Sequence, residues 1–209
     1  MLDPASRMCA AAWRNVLERR LRGRDIRKVN LCCGTQKVPG YFGIDVVEGA
    51  DLQLDLSRMD LPFRVSSLDT VVCMSAINYF TRARAQQLVR EMHRVLRPAG
   101  VCRLGVQDLK SLSERYVRSD TEFFNQKLPD GRDRFEGPTI GDKFVAWFYG
   151  YAVGPYRCEY FYDFDSLAYL FNAAGFTVIE RKAFRESRIP EVDRLDNRAD
   201  QMFFLEAVK

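Results

Sequence analysis

Histidine is almost missing from this chain: the 209 residues hold one, at position 93. The six cysteines, Cys9, Cys32, Cys33, Cys73, Cys102 and Cys158, form no C-x-x-C pair, so no zinc or haem spacing is present. They are expected to be small buried apolar residues in a reducing compartment. No stretch approaches the ~18 consecutive apolar residues of a membrane span. Residues 1–25 mix acidic and basic side chains where a signal peptide would need an apolar centre. A cytoplasmic chain with no membrane partner is therefore expected. A formal charge of +4 rests on scattered arginines, which leaves no basic stripe and no expectation of nucleic acid. Internal repeats and low-complexity segments are also absent.

What is present is a composition of 47% apolar and 29% charged residues, enough for one well-buried core, and a single domain over 1–209 is expected. Residues 4–22 place Met8, Ala11, Ala12, Val16 and Leu21 near helical spacing. Short buried strands are expected over 29–33, 41–46 and 50–54, then a longer one over 68–74. A helix over 82–96 turns Leu88, Val89, Met92, Val95 and Leu96 inward. Arg97-Pro98-Ala99-Gly100 stops it and leads into a strand over 101–106. Residues 110–160 show no clear period and read as a functional insertion or lid rather than a structureless loop. A helix over 163–174, with Asp163 as N-cap and Gly175 as its stop, precedes strands over 176–182 and 202–208. This alternation predicts an α/β fold, a largely parallel sheet flanked by helices with an antiparallel C-terminal edge strand.

In such doubly wound sheets, ligands bind beyond the carboxyl ends of the strands near the switch in strand order. The first two strands frame the segment NLCCGTQKVPGYFGID, residues 30–45. A dinucleotide site would favour G-x-G-x-x-G, yet with Gly34 as the middle glycine, Cys32 and Lys37 stand at the other two positions. Pro39 also leaves little room for a phosphate-binding helix. A nucleoside without phosphates asks for less: one close backbone approach, a carboxylate for the ribose and apolar walls for the base. Gly34, Asp45 and the Asp55-Leu56 pair supply these in order.

The segments NLCCGTQKVPGYFGID, ADLQLDL, SLDTVVCMSAINYF, MHRVLRPAG and VCRLGVQDL resemble consecutive motifs of class I S-adenosylmethionine-dependent methyltransferases, specifically small bacterial ones with an L-N-L-G-C-G-like first turn. The likeness continues through FYDFDSLAYLFNAAGF and RESRIPEVD and so covers nearly the whole chain. It implies a Rossmann-like, seven-stranded sheet and S-adenosylmethionine as cofactor. It further implies that Asn30, Leu31, Cys32 and Gly34 line the methionine part, that Asp45 with Val46 holds the ribose, that Asp55 and Leu56 border the adenine, and that Met74 and Ser75 lie near the sulfonium.

The chain departs from the family pattern in two places. Cys32 replaces a usual glycine, which costs roughly 1–3 kcal/mol if that position needs positive φ; a turn of another shape, retaining Gly34, is the expectation. Relatives also show histidines after the fourth strand, where this chain has Ser75, Asn78 and Tyr79, and Cys158 replaces another. Methyl transfer is an in-line displacement, so positioning can supply much of the catalysis and a base is optional. Tyr79 and Asp108 are the candidate catalytic groups. The tyrosines at 149, 151, 156, 160 and 162 are either further orienting groups or an aromatic satellite core. A small-molecule acceptor is expected, the oligomeric state being open. Two alternatives stand beside it: attack at another carbon of the sulfonium, by cyclisation or elimination that releases methylthioadenosine, and a catalytically silent cofactor-binding protein.

Overall fold

The computed structural model describes residues 4–149, 152–153 and 156–209. In chain order the elements are α1 (Pro4–Leu21), β1 (Lys28–Leu31), β2 (Phe42–Asp45), β3 (Leu52–Gln53), β4 (Leu68–Met74), a 3-10 turn (Ile77–Tyr79), α2 (Arg82–Val95) and β5 (Leu96–Gln107). There follow α3 (Leu109–Val117), α4 (Thr121–Phe124), α5 (Ile140–Tyr149), β6 (Ala152–Val153), β7 (Tyr156–Arg157), α6 (Phe164–Ala174), β8 (Val178–Lys182), α7 (Val192–Leu195) and β9 (Met202–Val208). No helix among the described residues is long and apolar enough to cross a membrane.

Seven strands form one sheet in the order β3-β2-β1-β4-β5-β9-β8. The strand order reverses between β1 and β4, whose carboxyl ends point the same way. Both strands are buried almost throughout, as strands of a parallel sheet covered on two faces are. No helix separates β1 from β2, consistent with the turn-forming Pro39 and Gly40.

The antiparallel strand is the last one in the chain, as expected, and it forms the edge hairpin of the sheet with β8. β9 lies between β5 and β8, antiparallel to both, and β8 forms the edge. The reason is burial. Six of the seven β9 residues are buried, so MFFLEAV needs partners on both sides, whereas the Glu180, Arg181 and Lys182 side chains of β8 tolerate an open edge.

Residues 97–100 do more than end a helix. Leu68 pairs with Leu96 and Thr70 with Val101, so the stretch between bulges out of β5, with Ala99 at φ 62°. The aperiodic segment 110–160 is also more regular than its sequence suggests. Asp108 caps α3 and Asp120 caps α4 through backbone N–H groups. Leu112, Phe123, Phe124, Phe135 and Trp147 form a buried cluster of their own. Each helix is too short to display a period, and capping rather than amphipathicity sets its limits.

One face of the sheet packs against α2, α6 and part of α1. The other is covered by residues 183–201, held by a charged side chain in the centre of the sheet. Arg103 of β5 is fully buried and donates to both oxygens of Asp196, at 2.8 Å from Nε and 2.6 Å from Nη2. It also reaches Glu206 at 3.3 Å and the Glu186 carbonyl at 2.9 Å, and lies 5.1 Å over the Phe204 ring. Glu206 receives further hydrogen bonds from Ser187 and the Arg188 backbone. Removing one partner of such a buried network strands the remaining charges. Arg103→Ala should lower stability by about 3–5 kcal/mol in urea denaturation, with a matching fall in midpoint; a loss under ~1 kcal/mol would mean that the covering segment is held by its apolar contacts alone.

Candidate functional site

The carboxyl ends of β1 to β4 surround a cavity of about 160 Å³. Cys32 and Gly34 follow β1, Asp45, Val46 and Val47 close β2, and Leu54, Asp55, Leu56 and Ser57 follow β3. Ser75, Ala76, Tyr79 and Phe80 come from the end of β4 and the 3-10 turn, and Tyr156 from the distant β7.

Asp45 organises the first turn. Its Oδ2 accepts from the Gly34 N–H at 2.7 Å, while Oδ1 accepts from the Val46 N–H at 2.6 Å and the Val47 N–H at 3.1 Å. A carboxylate has about four lone-pair positions, so roughly one is left for a ligand hydroxyl. Gly34 stands at φ 58°, and a Cβ placed there would meet nothing within 4 Å, so the backbone is open to close approach.

Asp55 accepts from the Ser57 N–H at 2.8 Å through Oδ1 and from the Tyr156 hydroxyl at 2.8 Å through Oδ2. Burial works to raise its pKa, but the hydrogen bonds from Ser57 and Tyr156 and the Arg58 charge outweigh it and hold the carboxyl below its ordinary value. Arg84 of α2 donates to the Leu56 carbonyl at 2.7 Å and the Met59 carbonyl at 2.6 Å, fixing the wall beyond Asp55.

At the end of β4, Ser75 has φ 56°; its N–H donates to the Gly105 carbonyl and its hydroxyl to Asn197 at 3.2 Å. Tyr79 faces the cavity and is hydrogen-bonded to the Cys158 thiol, which burial pushes up to about 11.

Among the expected site residues, Cys32, Gly34, Asp45, Val46, Asp55, Leu56, Ser75 and Tyr79 converge on this cavity. Asn30 and Leu31 are buried inside β1 and do not line it. Met74 belongs to the opposite side of the sheet, where it packs with Val72, Met202 and Phe204. Strand alternation turns it away while its neighbour Ser75 turns inward. Asp108 is a further correction. It caps α3 through the N–H groups of Lys110 and Ser111, pairs with Arg181 at 2.7 Å, and lines a separate cleft with Arg115 and Gln201. The residue that starts a helix directly after a strand spends its side chain on the helix.

The tyrosines divide. Tyr149 is largely exposed, while Tyr162 is buried in the main core with Tyr160 packed on it, ring centres 4.9 Å apart, so these three neither line the cavity nor form the satellite core. Tyr151 lies outside the described residues. Among the described tyrosines of this set, Tyr156 alone lines the cavity. Val47, Leu54, Ser57, Ala76 and Phe80 also line it without having been singled out; their adjacency to residues that had been was the available signal. Nothing in the sequence near Tyr156 pointed to Asp55.

Residues 2–104 match the family model described as a methyltransferase domain. That stretch, just under half of the chain, is similar to a methyltransferase domain. A crystal structure of a SAM-dependent methyltransferase from Archaeoglobus fulgidus shares the fold, with a TM-score of 0.50 and 14% identity over 94% of each chain. Another, from Mesorhizobium loti, gives a TM-score of 0.49 and 17% identity, covering 96% of this chain and 98% of that one. No curated protein matches the chain.

The donor set suits S-adenosylmethionine, the cofactor named for the Archaeoglobus fulgidus structure of this fold: two carboxylates at successive strand ends, an open glycine, and apolar walls from Val46, Leu54, Leu56 and Phe80. The turn that carries it is strained. Cys32 stands at φ 54°, in the left-handed region, so the position does need what a glycine supplies and the milder expectation of another turn shape fails. The thiol is not a thiolate: its hydrogen bond to Cys73, then burial, then Asp45 and Asp55 raise its pKa well above the ordinary value. Cys33 is pushed up to about 11, first by burial. Cys32→Gly removes both the strain and a side chain from the cavity. It should bind the cofactor roughly three- to tenfold more tightly by calorimetry; weaker binding would show that the thiol contributes a favourable contact.

Proposed function

We propose that this domain transfers a methyl group from S-adenosylmethionine to a small-molecule acceptor, relying on positioning rather than on a histidine base. The observation that carries the reading is the convergence of Gly34, Asp45, Asp55, Ser75, Tyr79 and, from β7, Tyr156 on one cavity. The backbone N–H groups of Glu159 and Tyr160 donate to the Asn78 carbonyl, which ties the segment after β7 to the turn that follows β4. A cavity hemmed by Tyr156 beside the strand ends favours a small acceptor over a polymer.

When bound, the cofactor supplies an electrophilic methyl on a sulfonium. The chain's own residues then hold and exclude. The remaining lone pair of Asp45 accepts from a ribose hydroxyl, Asp55 accepts from the base, and Leu54, Leu56 and Phe80 keep water from it. Ser75 and Cys32 flank the methionine end. Tyr79, from the turn after β4, orients the acceptor with its hydroxyl.

A base is not needed for a neutral amine, a carboxylate or an acidic hydroxyl, and no imidazole among the described residues lines the cavity. His93 instead packs edge-on against Phe176, ring centres 5.1 Å apart, and burial lowers its pKa first of all. An unactivated alcohol is accordingly the least suitable acceptor.

Incubation with S-adenosylmethionine and panels of amines, carboxylic acids and phenols should release S-adenosylhomocysteine with at least one class. Methylthioadenosine as the product, or tight binding with no turnover across the panels, would overturn methyl transfer. Asp45→Ala should weaken cofactor binding by about tenfold or more, since it removes both a ligand acceptor and the brace of the Gly34 turn; unchanged affinity would remove Asp45 from the site. Tyr79→Phe should lower kcat severalfold while leaving cofactor affinity within twofold, and an equal loss in both would make Tyr79 a wall of the cofactor pocket instead.

A further inference from the structure

We infer that the Tyr156 hydroxyl is a placeholder for the exocyclic amine of the cofactor's purine, competing with it for one oxygen of Asp55 and so setting the affinity of the site. The inference rests on the reading of Asp55 as the residue that receives the base.

Asp55 has few oxygen positions to share. Oδ1 is taken by the Ser57 N–H at 2.8 Å. Oδ2 receives the Tyr156 hydroxyl at 2.8 Å, with the Arg58 guanidinium only at 3.5 Å. Both Asp55 and Tyr156 line the cavity, so the hydroxyl stands where a ligand donor on that oxygen would have to approach. Tyr156 stays a donor across physiological pH, since burial, and after it the hydrogen bond to Asp55, push its pKa up.

The size of the cavity leads to the same place. Pockets that enclose small organic ligands span roughly 300–1,000 Å³, and with Tyr156 on Asp55 this one measures about 160 Å³. On Asp55 itself, an amine seeking Oδ2 meets the phenol already bound there. A partly buried carboxylate does not give up a donor without replacement, because an unpaired acceptor forfeits its hydrogen-bond energy. Exchange of one donor for another avoids that loss. A purine with an amine at position 6 can make the exchange, whereas one with a carbonyl there would set two acceptors face to face.

Tyr156 thus differs from the side chains that grip the ligand: its hydrogen bond stabilises the ligand-free protein and is lost on binding. By linkage, whatever it adds to the free protein is subtracted from cofactor affinity.

The test is calorimetric titration of the full chain with S-adenosylhomocysteine, wild type against Tyr156→Phe, with thermal melting of each protein with and without the nucleoside. The variant keeps the ring, so its fold is retained. It should bind roughly three- to tenfold more tightly, melt below wild type without nucleoside, and melt level with it at saturation. S-inosylhomocysteine, with a carbonyl in place of the amine, should bind wild type at least about tenfold more weakly. A variant that binds no more tightly, or a melting gap that persists at saturation, overturns the placeholder and leaves the pocket reading intact. Failure of both proteins to bind S-adenosylhomocysteine overturns the pocket reading, and the placeholder with it.

Discussion

A single guanidinium, buried in the middle of the sheet, conditions most of what happens at the sheet's edge. Arg103 cannot lie in an apolar interior without partners, and the chain brings it two carboxylates and two carbonyls from one covering segment and the neighbouring strand β9. That segment is not idle cover. Glu191 pairs with Lys28 at 2.7 Å at the start of β1 and accepts from Tyr41 before β2, Gln36 donates to the Arg194 carbonyl, and Ser75 donates to Asn197. The loop after β1, the entry to β2 and the end of β4 are therefore fixed from behind by residues that Arg103 anchors.

The front of the site obeys a second constraint, the demand of its turns for left-handed backbone. Cys32, Gly34 and Ser75 all have positive φ, and they stand around the same cavity. Only Gly34 adopts that conformation without steric cost. Cys32 and Ser75 hold it because the surroundings over-determine them: Asp45 gathers three backbone N–H groups on one side, and Gly105 with Asn197 ties Ser75 on the other. Strain of this kind concentrates where a ligand must come close to the main chain.

The domain is also economical. Connections between β1, β2 and β3 carry no helix, so the cofactor edge consists of turns braced by carboxylates rather than of helix N-termini. After β5, residues of α3, α4 and α5 build a small aromatic core of their own. Beyond it, Tyr156 meets Asp55 at the cavity, and the backbone N–H groups of Glu159 and Tyr160 meet Asn78.

The amino-acid sequence alone determined whatever depends on neighbours in the chain. The limits of β4 and β9, the N-cap of α6 by Asp163 and its stop at Gly175 could be read directly, because apolar runs, capping oxygens and positive-φ glycines act within a few residues. The ordered spacing of Gly34, Asp45, Asp55 and Ser75 was legible for the same reason, since a parallel sheet delivers successive strand ends to one edge. Tertiary structure decided the rest. Whether β9 is an edge depended on which strand could bear exposure, and Met74 was lost to the far face by the pleat. Asp108 was claimed by a helix that shows no period, and Cys32 stands in glycine's conformation. Tyr156 reaches Asp55 across 101 residues of chain, and a hydrogen bond of that span leaves no local trace because neither residue's neighbours take part in it.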